Sequence, residues 1–482
     1  MIRKLLKLFT KKERQIAIVI FLFVLAGAGL EVISLALFAA FIGLFLDTNL
    51  EVYNWIIENS IIDLGEKSKI ELIQMLGVFT GILFVIKNIY LLLINYILHK
   101  FIYNKYTKVS VRLLKKYIEM PYINHLQINS AFLQRNVNTE VFWLCANIMV
   151  PGITFLTELI VVFVIIIALF YINPFTTLML IFGFAIILLS IMFAIKRKMD
   201  ALGLVSQSYF GEMIKSVNQS LGSVKLTKVS GTAKYFLDIY KSNIEKYSTN
   251  TANLKNISQW PRYFVEVIIV IAVVTSAIFM THGNSDLKVN LPILSFFGMA
   301  AIRLMPSFNR ITSSYTNIRY YSASLNVVSD EFIKTNGDQR NDTKKQSSEI
   351  IFNEDIEFRN VDFIYPGAIK HSIEGLSFKI KKGQSVALIG KSGSGKTTIV
   401  DLLCGLLKLD SGKILVDGKD IFNNFTAWRK LISYVPQDIY LLDDSLRNNI
   451  AYGKSPEEID DNLIRYVTKL SMLDSYIKDL EF

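Results

Sequence analysis

The chain has 482 residues, 52% of them hydrophobic, with a mean hydropathy of +0.38 and a formal net charge of +11. That length leaves room for two or three domains, and that hydropathy excludes an ordinary soluble protein. Two cysteines, Cys145 and Cys404, exclude a disulfide framework and read as reduced structural thiols.

The apolar excess comes first. Six runs approach or exceed the roughly 20 residues needed to cross a bilayer: 16–46, 72–98, 148–171, 175–195, 263–281 and 291–313. Any one alone fits a buried core helix, above all the last, which Arg303 interrupts. Six in series predict an all-α, multi-pass membrane domain over 1–330. The first run is too long for a cleaved signal peptide and ends on no small-residue cleavage site, so it reads as a permanent span.

Orientation follows from the flanks, because cytoplasmic loops collect Lys and Arg. The leading "MIRKLLKLFTKKER" has six basic residues and one acidic, whereas 47–71 has six acidic residues against Lys67 and Lys69. The stretches 99–135 and 196–262 are again basic, which predicts cytoplasmic N- and C-termini in the inner (plasma) membrane. This bias accounts for the net charge, and no RNA- or DNA-binding motif accompanies it, so no nucleic-acid partner is expected.

Between the spans, 99–120 and 197–256 contain few Gly or Pro and carry apolar residues at helical spacing, so the helices are expected to run on into the cytoplasm. Breaks at 120–130 ("MPYINHLQINS") and 218–231 ("NQSLGSVKLTKVSG") predict short cross-helices, or plain bends, at the far ends. The external "VYNWIIENSIIDL" (52–64) fits either an interfacial helix or a packed turn. A polar stretch at 331–350 reads as a linker.

From about 351 short strands take over: "IEFRNVDFIY", "LSFKI" and "SVALIG", then the hairpin "GKILVDGKDI" turning on Asp417-Gly418. Within "ALIGKSGSGKTTIVDLL" (387–403), Gly390, Gly395, Lys396 and Thr397 fit G-x-x-x-x-G-K-[ST], with an apolar run before and a helix-like run after. In such a loop backbone amides curl around an anion, the helix N-terminus faces it, and the lysine reaches the outer phosphates. The threonine hydroxyl takes Mg2+. An α/β P-loop nucleotide-binding domain over 351–482 is therefore expected.

With these residues in order, the chain resembles the ABC transporters of the exporter type: a six-helix transmembrane domain with long cytoplasmic helix extensions, fused to one nucleotide-binding domain. The resemblance rests on "GKSGSGKTT", on Tyr365 in "VDFIYPG" and on Gln437 in "ISYVPQDIYLLDDSLRNNIAYG". It implies ATP held by Tyr365, Gly390, Ser392, Gly393, Ser394, Gly395, Lys396, Thr397 and Thr398, with Tyr365 on the adenine. It implies Mg2+ on Thr397 and Gln437, catalytic roles for Lys396 and Gln437, and a second half-transporter as partner, in a homodimer. Stretches 29–38, 260–268 and 301–328 are similar to the lipid-linked oligosaccharide flippases of bacterial N-glycosylation, which implies a lipid-linked glycan or related anionic membrane lipid as substrate. Multidrug and lipid exporters share the scaffold.

Ionisable residues inside spans are costly and call for a pairing or a function. They are Glu31, Lys87, Glu158, Arg262, Glu266 and Arg303. Glu31, Lys87, Arg262 and Arg303 are candidates for the substrate path, and a structural Glu31–Lys87 pair is the competing reading.

The resemblance also calls for a signature sequence, an apolar strand ending in Asp-Glu and a switch histidine after Gln437. None occurs in this sequence, and "IYLLDDS" (439–445) matches the segment after the glutamine instead. The nucleotide-binding domain is thus expected to be truncated and to lack central strands of its sheet, as in a C-terminally incomplete chain. A catalytically silent nucleotide-binding membrane protein is the alternative of a different class.

Overall fold

The computed structural model describes residues 2–46, 68–172, 174–282, 287–338, 350–423 and 425–478. The external segment 52–64 lies outside them. The chain forms two compact units, 1–340 and 341–482.

The first unit is helical. A short α1 (Ile2–Leu8) leads into α2 (Lys11–Leu46), and α3 (Lys69–Glu119) starts on a capping box in which Ser68 and Glu71 satisfy each other's backbone amides. Buried positions on α3 read 72, 80, 87 and 94, then 98, 102, 105, 109, 113 and 117. One buried residue per two turns leaves the remaining apolar side chains facing outward, as lipid allows. One per turn marks packing on several neighbours in the polar half.

The break at 120–130 holds a short helix, α4 (Tyr122–Gln127). The next long helix is built from α5 (Ser130–Arg135), α6 (Val141–Leu144) and α7 (Val150–Ile172), joined by π-helical turns Asn136–Glu140 and Cys145–Met149. Then come α8 (Pro174–Gly222), the short α9 (Val224–Ser230) in the second break, α10 (Ala233–His282) and α11 (Leu287–Tyr320). Among the described residues, three stretches, Lys11–Phe45, Lys69–Glu119 and Ser130–Ile167, are long and apolar enough to cross a membrane by length and composition, against six runs expected from the sequence.

The segment expected as a linker is partly helical, because α12 (Ser322–Asp338) runs into it. Phe332 packs against the polar-half core and under the Arg112 guanidinium, and Glu331 pairs with Lys116 at 3.0 Å. These contacts reward helical order beyond Asp330, despite the polar composition.

Close helix approach is set by small residues. A Cβ on Gly203 of α8 would sit 1.9 Å from the Tyr320 carbonyl oxygen of α11. Beside that crossing, Ile195, Met199, Leu254, Ile257 and Tyr320 form one core cluster. Cys145 belongs to a larger cluster with Leu113, Val141, Leu144 and Leu325, and both cysteines are free.

The second unit holds an antiparallel sheet in the order β2-β1-β3-β4, with β1 Asp355–Phe363, β2 Ile373–Lys381, β3 Ser411–Val416 and β4 Lys419–Asp420. Asp417 (φ 47°) and Gly418 (φ 77°) make the hairpin turn in the left-handed conformation that Asp-Gly favours. The Asp417 carboxylate also accepts from the amides of Asn353, Glu354 and Asp355 at 2.6, 2.9 and 3.0 Å. "SVALIG" (385–390) departs from expectation: it is not a strand, and Ile389 is 94% exposed. A strand needs a ladder partner, and among the described residues nothing pairs with this run.

Candidate functional site

The loop ahead of α13 (Lys396–Leu403) is shaped by its glycines. Gly393 and Gly395 take φ of 79° and 86°, where other residues are strained. A Cβ on Gly395 would meet the Ser372 carbonyl oxygen at 2.8 Å, and one on Gly390 would meet Ser394 Oγ at 2.6 Å. The first intrahelical bond runs from the Ile399 amide to the Gly395 carbonyl, 2.9 Å, which leaves the amides of Lys396, Thr397 and Thr398 for another acceptor.

Lys396 Nζ folds over the loop and donates to the carbonyls of Gly390 (2.9 Å) and Lys391 (2.7 Å), with Ser394 Oγ at 3.5 Å. A cation held by weak neutral acceptors is ready to move to an anion. The Thr397 side chain is exposed, whereas Thr398 is buried and its hydroxyl bonds the Tyr365 hydroxyl at 3.2 Å. That bond, together with an edge-on packing against Phe363 at 4.9 Å, ties the Tyr365 ring to the start of α13. These features fit a polyphosphate with an aromatic base beside it. Ser392 is also on the exposed loop surface. Gln437 lies in an exposed irregular segment, and among the described residues no hydrogen bond joins it to the loop.

Beneath the loop, Asp401 is buried and its carboxyl is pushed up by that burial. Burial, then the neighbouring Asp401 charge, pushes the Cys404 thiol up as well.

In the membrane domain, Arg303 on α11 pairs with Glu31 of α2 at 2.6 Å and approaches Glu158 of α7 at 3.9 Å. Arg310 holds the other Glu158 oxygen at 2.7 Å, and Arg303 donates to Ser307 Oγ at 2.7 Å. Two guanidinium groups thus meet two carboxylates, and the network is neutral. The Glu31–Lys87 pair, the competing structural reading of the sequence, does not form among the described contacts. Arg303 takes the carboxylate, and Lys87, 8% exposed, lies over the Phe84 ring at 4.1 Å with no ion pair among the described residues. Arg262 and Glu266 are exposed on α10 just past Pro261, outside this network.

Residues 373–480 match the ABC transporter family. The structure superposes on that of a bacterial Atm1-family ABC exporter with ATP bound, with a TM-score of 0.75 over 97% of this chain and 78% of the other, at 19% identity. The chain has the fold of an ABC exporter. Over 104 residues it is 40% identical to the ATP-dependent lipid A-core flippase of Escherichia coli K12 and 41% identical to that of Salmonella typhimurium. Those matches span 21% of this chain and 18% of each flippase.

In this exporter fold the sequence reading missed two residues that the structure brings to the membrane network, Ser307 and Arg310. They stand four and seven positions after Arg303, so helical spacing alone places all three on one face of α11. It also missed the role of Thr398 as anchor of Tyr365, a contact between residues 33 apart that no local pattern encodes.

Proposed function

We propose that the chain acts as one half of an ATP-driven exporter dimer that moves an anionic lipid, foremost a lipid-linked glycan, across the inner membrane. The observation that carries this reading is the phosphate loop, with its left-handed glycines, its three free amides and Lys396 poised over it, on a chain with the exporter fold. The loop amides and Lys396 hold the ATP phosphates, and Tyr365 stacks on the adenine. Thr397 and Gln437 would hold Mg2+, which would supply charge neutralisation for phosphoryl transfer to water. Both termini are cytoplasmic, and α4 and α9 are the short helices that relay nucleotide state.

The exposure of Gln437, with no hydrogen bond to the loop among the described residues, favours a second reading, in which the chain binds nucleotide without turning it over and acts by association. Reconstituting the full-length chain in vesicles and measuring ATP hydrolysis separates the two. Turnover above background, lost in Lys396→Ala, supports the transporter. Tight ATP binding without turnover supports the second reading.

A further inference from the structure

An apolar groove of about 300 Å³ lies between α2 and α3, away from the ion-pair network. Ile20 and Ile94, both buried, form its floor, and Ile16, Val19, Phe23 and Ile97 form walls that are about half exposed. Only Gln15, at one end, is polar. From Gln15 to Phe23 a helix rises about 12 Å, close to the roughly 15 Å of hydrocarbon in one leaflet. The groove is therefore long enough to take an acyl chain through most of one leaflet's depth.

Its polar end is basic. Lys11 and Lys12 precede Gln15 on α2, and Lys100 follows Ile97 by one turn on α3; all three are exposed, and among the described residues none is ion-paired. Lys100 is held 5.8 Å from the exposed Tyr96 ring, an arrangement suited to head-group level. Nearby Lys105 and Lys108 are spent on Glu13, at 2.6 and 3.3 Å, and are not available to an added anion. Hydrocarbon-lined walls ending in three free cations are complementary to a molecule with an acyl chain and a negative head.

We propose that this groove is a binding site for an anionic phospholipid, one acyl chain lying along Ile20 and Ile94 and the phosphate head group meeting Lys12 and Lys100. The site is independent of whatever the chain transports. It holds an annular lipid at the outer surface of the helices.

Native mass spectrometry of the full-length protein, titrated with phosphatidylglycerol or phosphatidylcholine, tests this. Lys12→Ala with Lys100→Ala should weaken phosphatidylglycerol binding by roughly tenfold and leave phosphatidylcholine unchanged, since each surface cation attracts anionic lipid by a small additive amount. Ile16→Trp with Val19→Trp, which fills the groove, should weaken both lipids. Equal retention of phosphatidylglycerol in the wild type and both variants overturns the proposal. So does displacement by glycerol phosphate alone, which would need no groove, or by a polyprenyl phosphate at equal concentration, which would make the groove part of a substrate path. Thermal unfolding and helical circular dichroism of the same samples show whether a variant has lost the fold of the first unit.

Discussion

Arg303 and Lys87 are both cations placed within apolar spans, yet their surroundings give opposite expectations. Arg303, with its side chain 13% exposed, is held by Glu31 and by Glu158, so removing it leaves two carboxylates with less compensation. Breaking a buried pair from one side costs about 3 kcal/mol or more. Arg303→Met should therefore lower thermal stability in detergent markedly, and Arg303→Met combined with Glu31→Met should recover part of the loss. Lys87 lies on the Phe84 face and within the field of Glu31 and Arg303, makes no ion pair among the described residues, and bears the cost of its own burial. Lys87→Met should leave stability unchanged or raise it by about 1 kcal/mol. Loss of stability in Lys87→Met equal to that in Arg303→Met would show that Lys87 is a structural member of the network.

At the scale of elements, the Asp417 turn binds the start of the second unit to its sheet. Three backbone amides donate to one carboxylate, led by the Asn353 amide, and they hold its pKa below the usual aspartate range. A depressed folded-state pKa contributes stability that is present above the unfolded value, about 4, and is lost as pH falls through the folded value. The second unit of the wild type should therefore lose its stability advantage over Asp417→Ala as pH is lowered below about 4. A constant gap from pH 7 to 3, followed by denaturant titration, would show that the turn acts through backbone geometry alone.

The Gly203 crossing is a second such element. A methyl group there has 1.9 Å to a carbonyl oxygen, so α8 and α11 must separate. Gly203→Ala should cost about 1–3 kcal/mol in thermal unfolding, whereas Ala at Gly222, with open space around it, should cost nothing of that kind.

These elements also show how far the sequence could be read. The phosphate loop was legible because its chemistry is local: glycines, lysine and threonine fall within eight positions and fold on themselves. The long helices were legible from apolar runs that lipid demands, and the two short helices from the breaks between them. The partner of Glu31 was not legible, because it depends on how α2, α3 and α11 are rotated about their axes, and Arg303 and Lys87 both stood as candidates. Residues 385–390 carried the apolar composition of a strand, but a strand is defined by its neighbour, and composition does not supply one. The polar stretch after Asp330 read as linker because its few apolar residues, such as Phe332, have partners more than 200 residues earlier.

For the whole molecule, charge is arranged differently in the two units. The loop cation Lys396 is in the second unit, and the membrane network in the first is neutral, so the network by itself offers no net attraction to a diphosphate. Lys87 is the buried cation on α3 without an ion-pair partner among the described residues, and a desolvated ammonium with no contact ion pair is a strong anion ligand when one arrives. If the cargo is a diphosphate lipid, Lys87→Met should reduce its movement between leaflets by at least about tenfold, the worth of one charge-assisted hydrogen bond of roughly 1.5 kcal/mol. Basal ATP hydrolysis should change little. The measurement is flipping of a fluorescent polyprenyl-diphosphate glycan in vesicles, beside ATPase in the same preparation. A proportional fall in both activities would place Lys87 in the mechanical frame of the helices, and unchanged flipping would remove it from the cargo path. Arg303→Met provides the contrast: loss of its ion pairs should lower both activities together, in step with the amount of folded protein.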